Sequence, residues 1–181
     1  TGHGAVNLLD AIAQSCDVFF YEIALKTGIN NIAKISREFG LGLPTGINLP
    51  GEKSGLIPDR KWKIDVKKQV WRPGETIIAG IGQGYVLATP IQLALMTARI
   101  ANGGKKIKPT LLKSPILQAS NTNSVKVSEE NLNIIKRAME KVSLDEFGTG
   151  RNFRLGIKGV ERAGKTGTVQ VRRISTKVRE S

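Results

Sequence analysis

The sequence has a single cysteine, Cys16, so no disulfide can form within the chain and packing must hold the fold. Aromatic residues make up only 5%, which leaves the core to Ile, Leu and Val. No run approaches the ~20 consecutive apolar residues that would span a bilayer, and no basic-then-apolar leader opens the chain. If the protein is exported, its address and any anchor lie outside these residues. Acidic residues are also scarce, with 15 Asp and Glu against 28 Lys and Arg, a net charge of +13. Such a balance suggests polyanions. The basic residues are scattered, however, and the short clusters Lys105, Lys106, Lys108 and Arg172, Arg173 carry no interleaved aromatics to stack on bases. Nucleic acid is therefore not expected as a partner.

What is present fits one globular domain, since 40% of the 181 residues are apolar and 24% charged. The first third reads as three helices. One starts after Asn7, a good N-cap, and runs through Leu8, Leu9, Ala11 and Ile12. A second follows Asp17 to Gly28, and a third carries Ile32, Ile35 and Phe39 before Gly40. The stretch from Gly40 to Glu52 reads as an ordered loop, and Gly51 to Gly84 as irregular. Thr89, Pro90 and Gln92 form a capping box with proline at the first helical position, opening a helix that ends at Gly103. Ser128 opens another, with Leu132, Ile135, Met139 and Val142 on its core face. After Gly148 and Gly150, Thr166 to Val171 reads as a strand. Helices first and β-rich text last predict an α+β fold.

Gly159 to Thr166 spells G-x-x-x-x-G-K-T, the P-loop pattern. A P-loop must open a helix, because the helix N-terminus holds the phosphate. Here Gly167, Thr168, Val169, Gln170 and Val171 follow, and their alternation reads as a strand. Read as K-T-G at the start of an edge strand, Lys165 sets a positive charge beside a cleft. Thr166 and Thr168 offer hydroxyls, and Gly167 allows a substrate backbone to approach closely. An amide of that strand could face a developing oxyanion. Ser15 and Asp17, between two helices, can present polar groups to the same cleft.

S-x-N and K-T-G motifs in this order accompany the nucleophilic serine of an S-x-x-K motif in penicillin-binding proteins and serine β-lactamases. The chain resembles the elongation-type class B penicillin-binding proteins, the penicillin-binding protein 2 branch, over nearly its whole length. The resemblance is carried by Gly2-His3-Gly4, Asn7-Leu8, and Ser15 to Tyr21. It continues through Thr45 to Glu52, Ile81 to Tyr85, Ala88-Thr89-Pro90, and Ala163 to Gln170.

That resemblance implies an incomplete transpeptidase fold: residues 1–181 as part of a penicillin-binding domain, with the helical part and the K-T-G strand present, and the S-x-x-K helix and last strands outside. It implies acyl transfer on peptidoglycan stem peptides, inhibition by β-lactams, and a glycan-polymerising membrane partner at the periplasmic face of the cytoplasmic membrane. Ser15 would shuttle a proton to the leaving amine, and Lys165 and Thr166 would hold the substrate carboxylate. The Thr168 N–H would be an oxyanion donor, with Asp17 and Gly167 lining the substrate. Asp17 departs from the asparagine usual in the wider family, and an anion donates no amide hydrogen bond.

No serine in the chain has a lysine three positions on. Ser124 precedes Lys126 at the wrong spacing, and Thr110 before Lys113 is the one hydroxyl with the right spacing. The chain alone is therefore expected to be inactive; otherwise it is a non-catalytic cell-wall binding module. The chemistry requires no cofactor. The resemblance also implies a structural zinc held by His3, Cys16 and two aspartates upstream, as in some members of that branch, the alternative being a loop histidine and a buried cysteine.

Overall fold

The computed structural model describes residues 2–112, 123–153 and 157–169. Helices form where the caps predict them. α1 (Leu8–Ala13) begins where the Asn7 side chain accepts from the Asp10 N–H, and α2 (Asp17–Thr27) ends at Gly28. α3 (Ile29–Glu38) follows directly.

The stretch expected to be irregular holds more helix than its residues announce. Asp59 caps α4 (Arg60–Trp62), which widens into a π-helical turn at Lys63–Lys67. Pro73 then opens α5 (Pro73–Gly80), whose first turn is closed by the Glu75 carboxylate accepting from the Arg72 N–H at 2.8 Å. Proline at the first position and glutamate at the third were the available signals, obscured by Trp71 and Gly74 on either side.

α6 (Pro90–Ala101) carries the expected capping box, and α7 (Glu129–Leu144) starts at Ser128. Gln92 does more than cap. Fully buried, it also donates to the carbonyls of Leu43 and Ser54 at 2.7 and 2.8 Å, pinning the ordered loop to α6. Inside that loop the Glu52 carboxylate accepts from Thr45 and Gly46.

Two helix pairs position the cleft. α1 lies on α7, where Ile12, Ala138 and Val142 form a buried cluster and Asp10 pairs with Lys141 at 2.7 Å. α2 lies on α5, so close that a Cβ on Gly80 would fall 2.4 Å from that of Ala24. Only glycine permits that approach.

Among the described residues the regular structure is helical, with β pairing confined to the isolated bridges Leu56–Leu87 and Lys105–Ser124. The strand expected to open at Lys165 is absent from them: residues 160–169 run without regular structure. A strand exists through its ladder, and this segment is tied down otherwise. Gly164 donates to the Met139 carbonyl at 3.0 Å, and the Thr168 carbonyl accepts from the Gln83 side chain at 3.0 Å. The rest of the expected strand, with Val171, Arg172 and Arg173, lies outside the described residues. No helix follows Thr166 as far as Val169, so the P-loop reading fails on structure as well.

Candidate active site

α1 ends in a tight reversal. The Cys16 N–H returns to the Ala11 carbonyl at 2.9 Å and the Ser15 N–H to that of Ile12 at 3.3 Å. This is a Schellman closure, and it puts the residue just past the helix in the left-handed region, a position that glycine usually fills. Here it is Ser15, with φ +53°. A side chain there costs of order 1–3 kcal/mol, strain of the kind found at functional sites. The reversal places Ser15 on the wall of a groove.

The groove has a volume of about 630 Å³, and its walls include Asp17 and Phe20 of α2, Met96 of α6, and Gln83. Along one side runs the segment Lys165, Thr166, Gly167, Thr168. The Lys165 ammonium donates to the Ser15 hydroxyl at 2.5 Å and to the Thr166 hydroxyl at 3.2 Å. Ser15 and Thr166 hydroxyl oxygens lie 3.2 Å apart. Groups 150 positions apart in the chain thus share one polar cluster.

Lys165 makes no ion pair among the described residues. Desolvation by the groove walls pushes its ammonium below the ordinary 10.5, against the opposing pull of the Asp17 carboxylate. A cation surrounded by hydroxyls and lacking a bound carboxylate is suited to receive one from a ligand. A Cβ placed on Gly167 would meet nothing within 4 Å, so the segment is open to a ligand backbone there. No described group accepts from the Thr168 N–H, whereas its carbonyl is taken up by Gln83.

The structure therefore brings Ser15, Asp17, Lys165, Thr166, Gly167 and Thr168 into one groove. His3 and Cys16 do not line it; they line an adjoining depression of about 550 Å³ that shares Ser15 and Asp17 with the groove and also includes Glu22. Cys16 is buried and His3 exposed. Among the described residues no three His, Cys, Asp or Glu side chains gather as a metal cluster. His3 and Cys16 alone would supply half of a tetrahedral zinc set.

Two residues that contact the groove segment were given no role in the sequence reading. Gln83, in a Gly-Gln-Gly turn, fixes the K-T-G segment by the bond to Thr168. Thr149, between Gly148 and Gly150, contacts the hydroxyls of both Ser15 and Thr166. In each case the one signal was a polar residue between glycines, which marks a turn without saying where it points.

Comparison with known proteins decides the family. The model of the penicillin-binding protein transpeptidase domain matches residues 1–178. The chain belongs to that family. It is 38% identical to the peptidoglycan D,D-transpeptidase MrdA of Acinetobacter baumannii, over 97% of this chain and 27% of that protein. Among solved structures it resembles penicillin-binding protein 2 of Helicobacter pylori in complex with MreC (TM-score 0.86, 38% identity, 94% of this chain and 32% of that one). It also resembles Pseudomonas aeruginosa penicillin-binding protein 2 in complex with WCK 5153 (TM-score 0.84, 40% identity, 93% and 39%). The transpeptidase fold follows from these likenesses. The chain spans about a third of the length of such relatives.

Proposed function

We propose that this groove is the leaving-group and carboxylate-binding half of a peptidoglycan D,D-transpeptidase site. The observation that carries the reading is the 2.5 Å contact of the Lys165 ammonium with the Ser15 hydroxyl at the end of an open groove.

In this reading a serine from an S-x-x-K segment outside the chain gives its proton to the lysine of that segment and attacks the carbonyl between the last two D-alanines of a stem peptide. The carbon–nitrogen bond breaks, and the departing amine takes its proton from Ser15. Ser15 recovers one from Lys165, whose lowered proton affinity favours the transfer. Lys165 and the Thr166 hydroxyl hold the terminal carboxylate. The Thr168 N–H supplies one oxyanion donor, worth about 3–4 kcal/mol in comparable sites. Asp17 and Gly167 line the substrate. An amine from a second stem then resolves the acyl-enzyme, its proton returning through Ser15 to Lys165 while the released serine regains its own from the S-x-x-K lysine, and β-lactams acylate the same serine.

The work is done at the periplasmic face of the cytoplasmic membrane beside a glycan-polymerising membrane partner; among the described residues no helix is long and apolar enough to cross a bilayer. A structural zinc on His3 and Cys16 would need two further ligands from outside the chain, and no step passes through it.

Labelled penicillin tests the reading. The purified 181-residue chain should form no covalent adduct. The protein that carries the S-x-x-K segment as well should form one, slowed at least about 100-fold by Lys165→Ala. An adduct on the short chain would overturn the first expectation. No adduct on the longer protein would overturn the second and favour a non-catalytic binding module.

A further inference from the structure

The last carbonyls of a helix have no partner within it. In α1 the Ala13 carbonyl is taken up from far along the chain, by the Thr149 N–H at 3.0 Å and the Thr149 hydroxyl at 3.3 Å. Gly148 makes this possible by crossing the end of α7 where a Cβ would strike the Val142 carbonyl oxygen at 2.4 Å. The same Thr149 oxygen lies 2.9 Å from the Thr166 hydroxyl and 3.4 Å from that of Ser15.

A hydroxyl has one proton to give, a carbonyl has none, and an ammonium can only donate. Thr149 therefore spends its proton on Ala13. Its 2.9 Å bond with Thr166 then requires Thr166 to be the donor. With both threonine protons directed away, neither can donate to Ser15, and among the described residues only Lys165 can.

We propose that Thr149 is a positioning residue whose hydroxyl, committed to the Ala13 carbonyl, ends a one-way hydrogen-bond chain and leaves Lys165, among the described residues, as the one proton donor to Ser15. Its catalytic consequence rests on the transpeptidase reading; the arrangement itself does not. Without the Thr149 oxygen, the Thr166 hydroxyl loses its acceptor and turns its proton toward Ser15. Ser15 then has two competing donors, and the hydroxyl dipole beside Lys165 opposes the ammonium rather than supporting it.

The test is the titration of Lys165, followed by NMR on selectively labelled lysine in the 181-residue chain. Thr149→Val and Thr149→Ala should each lower its midpoint by about half a pH unit, while Thr149→Ser should match the wild type. The backbone bond to Ala13 survives in all of them, so a purely structural tether predicts no displacement. The proposal is overturned if the wild-type midpoint is not below that of exposed lysines, if Val and Ala leave it unmoved, or if Ser moves it equally. In the longer protein, the pH profile of penicillin acylation should shift with the Lys165 midpoint in Thr149→Val and recover in Thr149→Ser. A wild-type protein that is never acylated would sink the transpeptidase reading while leaving the titration result to stand on its own.

Discussion

Lys63 and Lys165 are the same side chain in opposite circumstances. Lys63, only 3% exposed, is bonded to the Glu75 carboxylate and flanked by the rings of Trp71 and Tyr85. Lys165 sits at an open groove with hydroxyls and a backbone carbonyl for partners and, among the described residues, no carboxylate in contact. The first charge is fully compensated by the fold; the second is only partly compensated. Gln92 and Gln83 divide the same way. Gln92 is buried and spends both ends of its amide on scaffold backbone, while Gln83 reaches one carbonyl of the groove segment. Lys63 and Gln92, which build the scaffold, have their partners built in. Lys165 and Gln83, at the groove, leave room for a ligand.

The largest expected effect is on the scaffold side. Glu75→Gln leaves a buried ammonium without its counter-charge, which should cost about 3–5 kcal/mol of stability in denaturant unfolding. Partial burial raises the Glu75 carboxyl, but the Lys63 ammonium and the Arg72 N–H outweigh it and hold the group below its ordinary 4.5. A lowered carboxyl stabilises the fold above its unfolded value, and that contribution fades as pH falls through the folded value. The gap between wild type and Glu75→Gln should therefore be full at neutral pH and narrow below about pH 4.5. A loss under about 1 kcal/mol at neutral pH would mean that Lys63 is no better compensated than Lys165, and the contrast would fail.

How much could be read in advance follows the range of the interactions. Asn7, Ser128 and the Thr89–Gln92 box announced their helices because a cap is settled within four residues. α5 escaped because Arg72 replaces the hydroxyl residue that usually marks such a start. The π-helical turn at Lys63–Lys67 has no local pattern behind it, and the Lys63–Glu75 pair at its start is a contact between elements. At the groove, Ser15 and Lys165 were legible as family motifs. Thr149 was not, because its role depends on an α1 carbonyl 136 positions earlier. The expected strand at Lys165 failed for a similar reason: alternation supplies a strand's faces but not its partner.

Ser15 sharpens the contrast, since the proposed site would place a needed hydroxyl at a strained position. Its left-handed φ suits glycine, so Ser15→Gly should unfold about 1 kcal/mol later than Ser15→Ala, which keeps a Cβ in the strained position. Both lose the hydroxyl, and both should lose penicillin acylation in the longer protein. Equal stability of the two variants would show that the reversal after α1 is not strained.

The smallest effect comes from Lys165 itself. Its ammonium is disfavoured by desolvation, so the folded chain releases that proton below 10.5 while the unfolded chain keeps it to that value. Between the two values the unfolded state holds more protons, and wild-type stability rises with pH. Lys165→Met lacks that slope. Because the group is partly exposed, screening limits the gain to less than about 1 kcal/mol at neutral pH, closing as pH approaches 10.5. The sign carries the argument: removing the groove lysine should leave the fold as stable or more so, whereas stranding the buried one weakens it. A Lys165→Met variant that melts well below wild type would show Lys165 to be a scaffold cation after all.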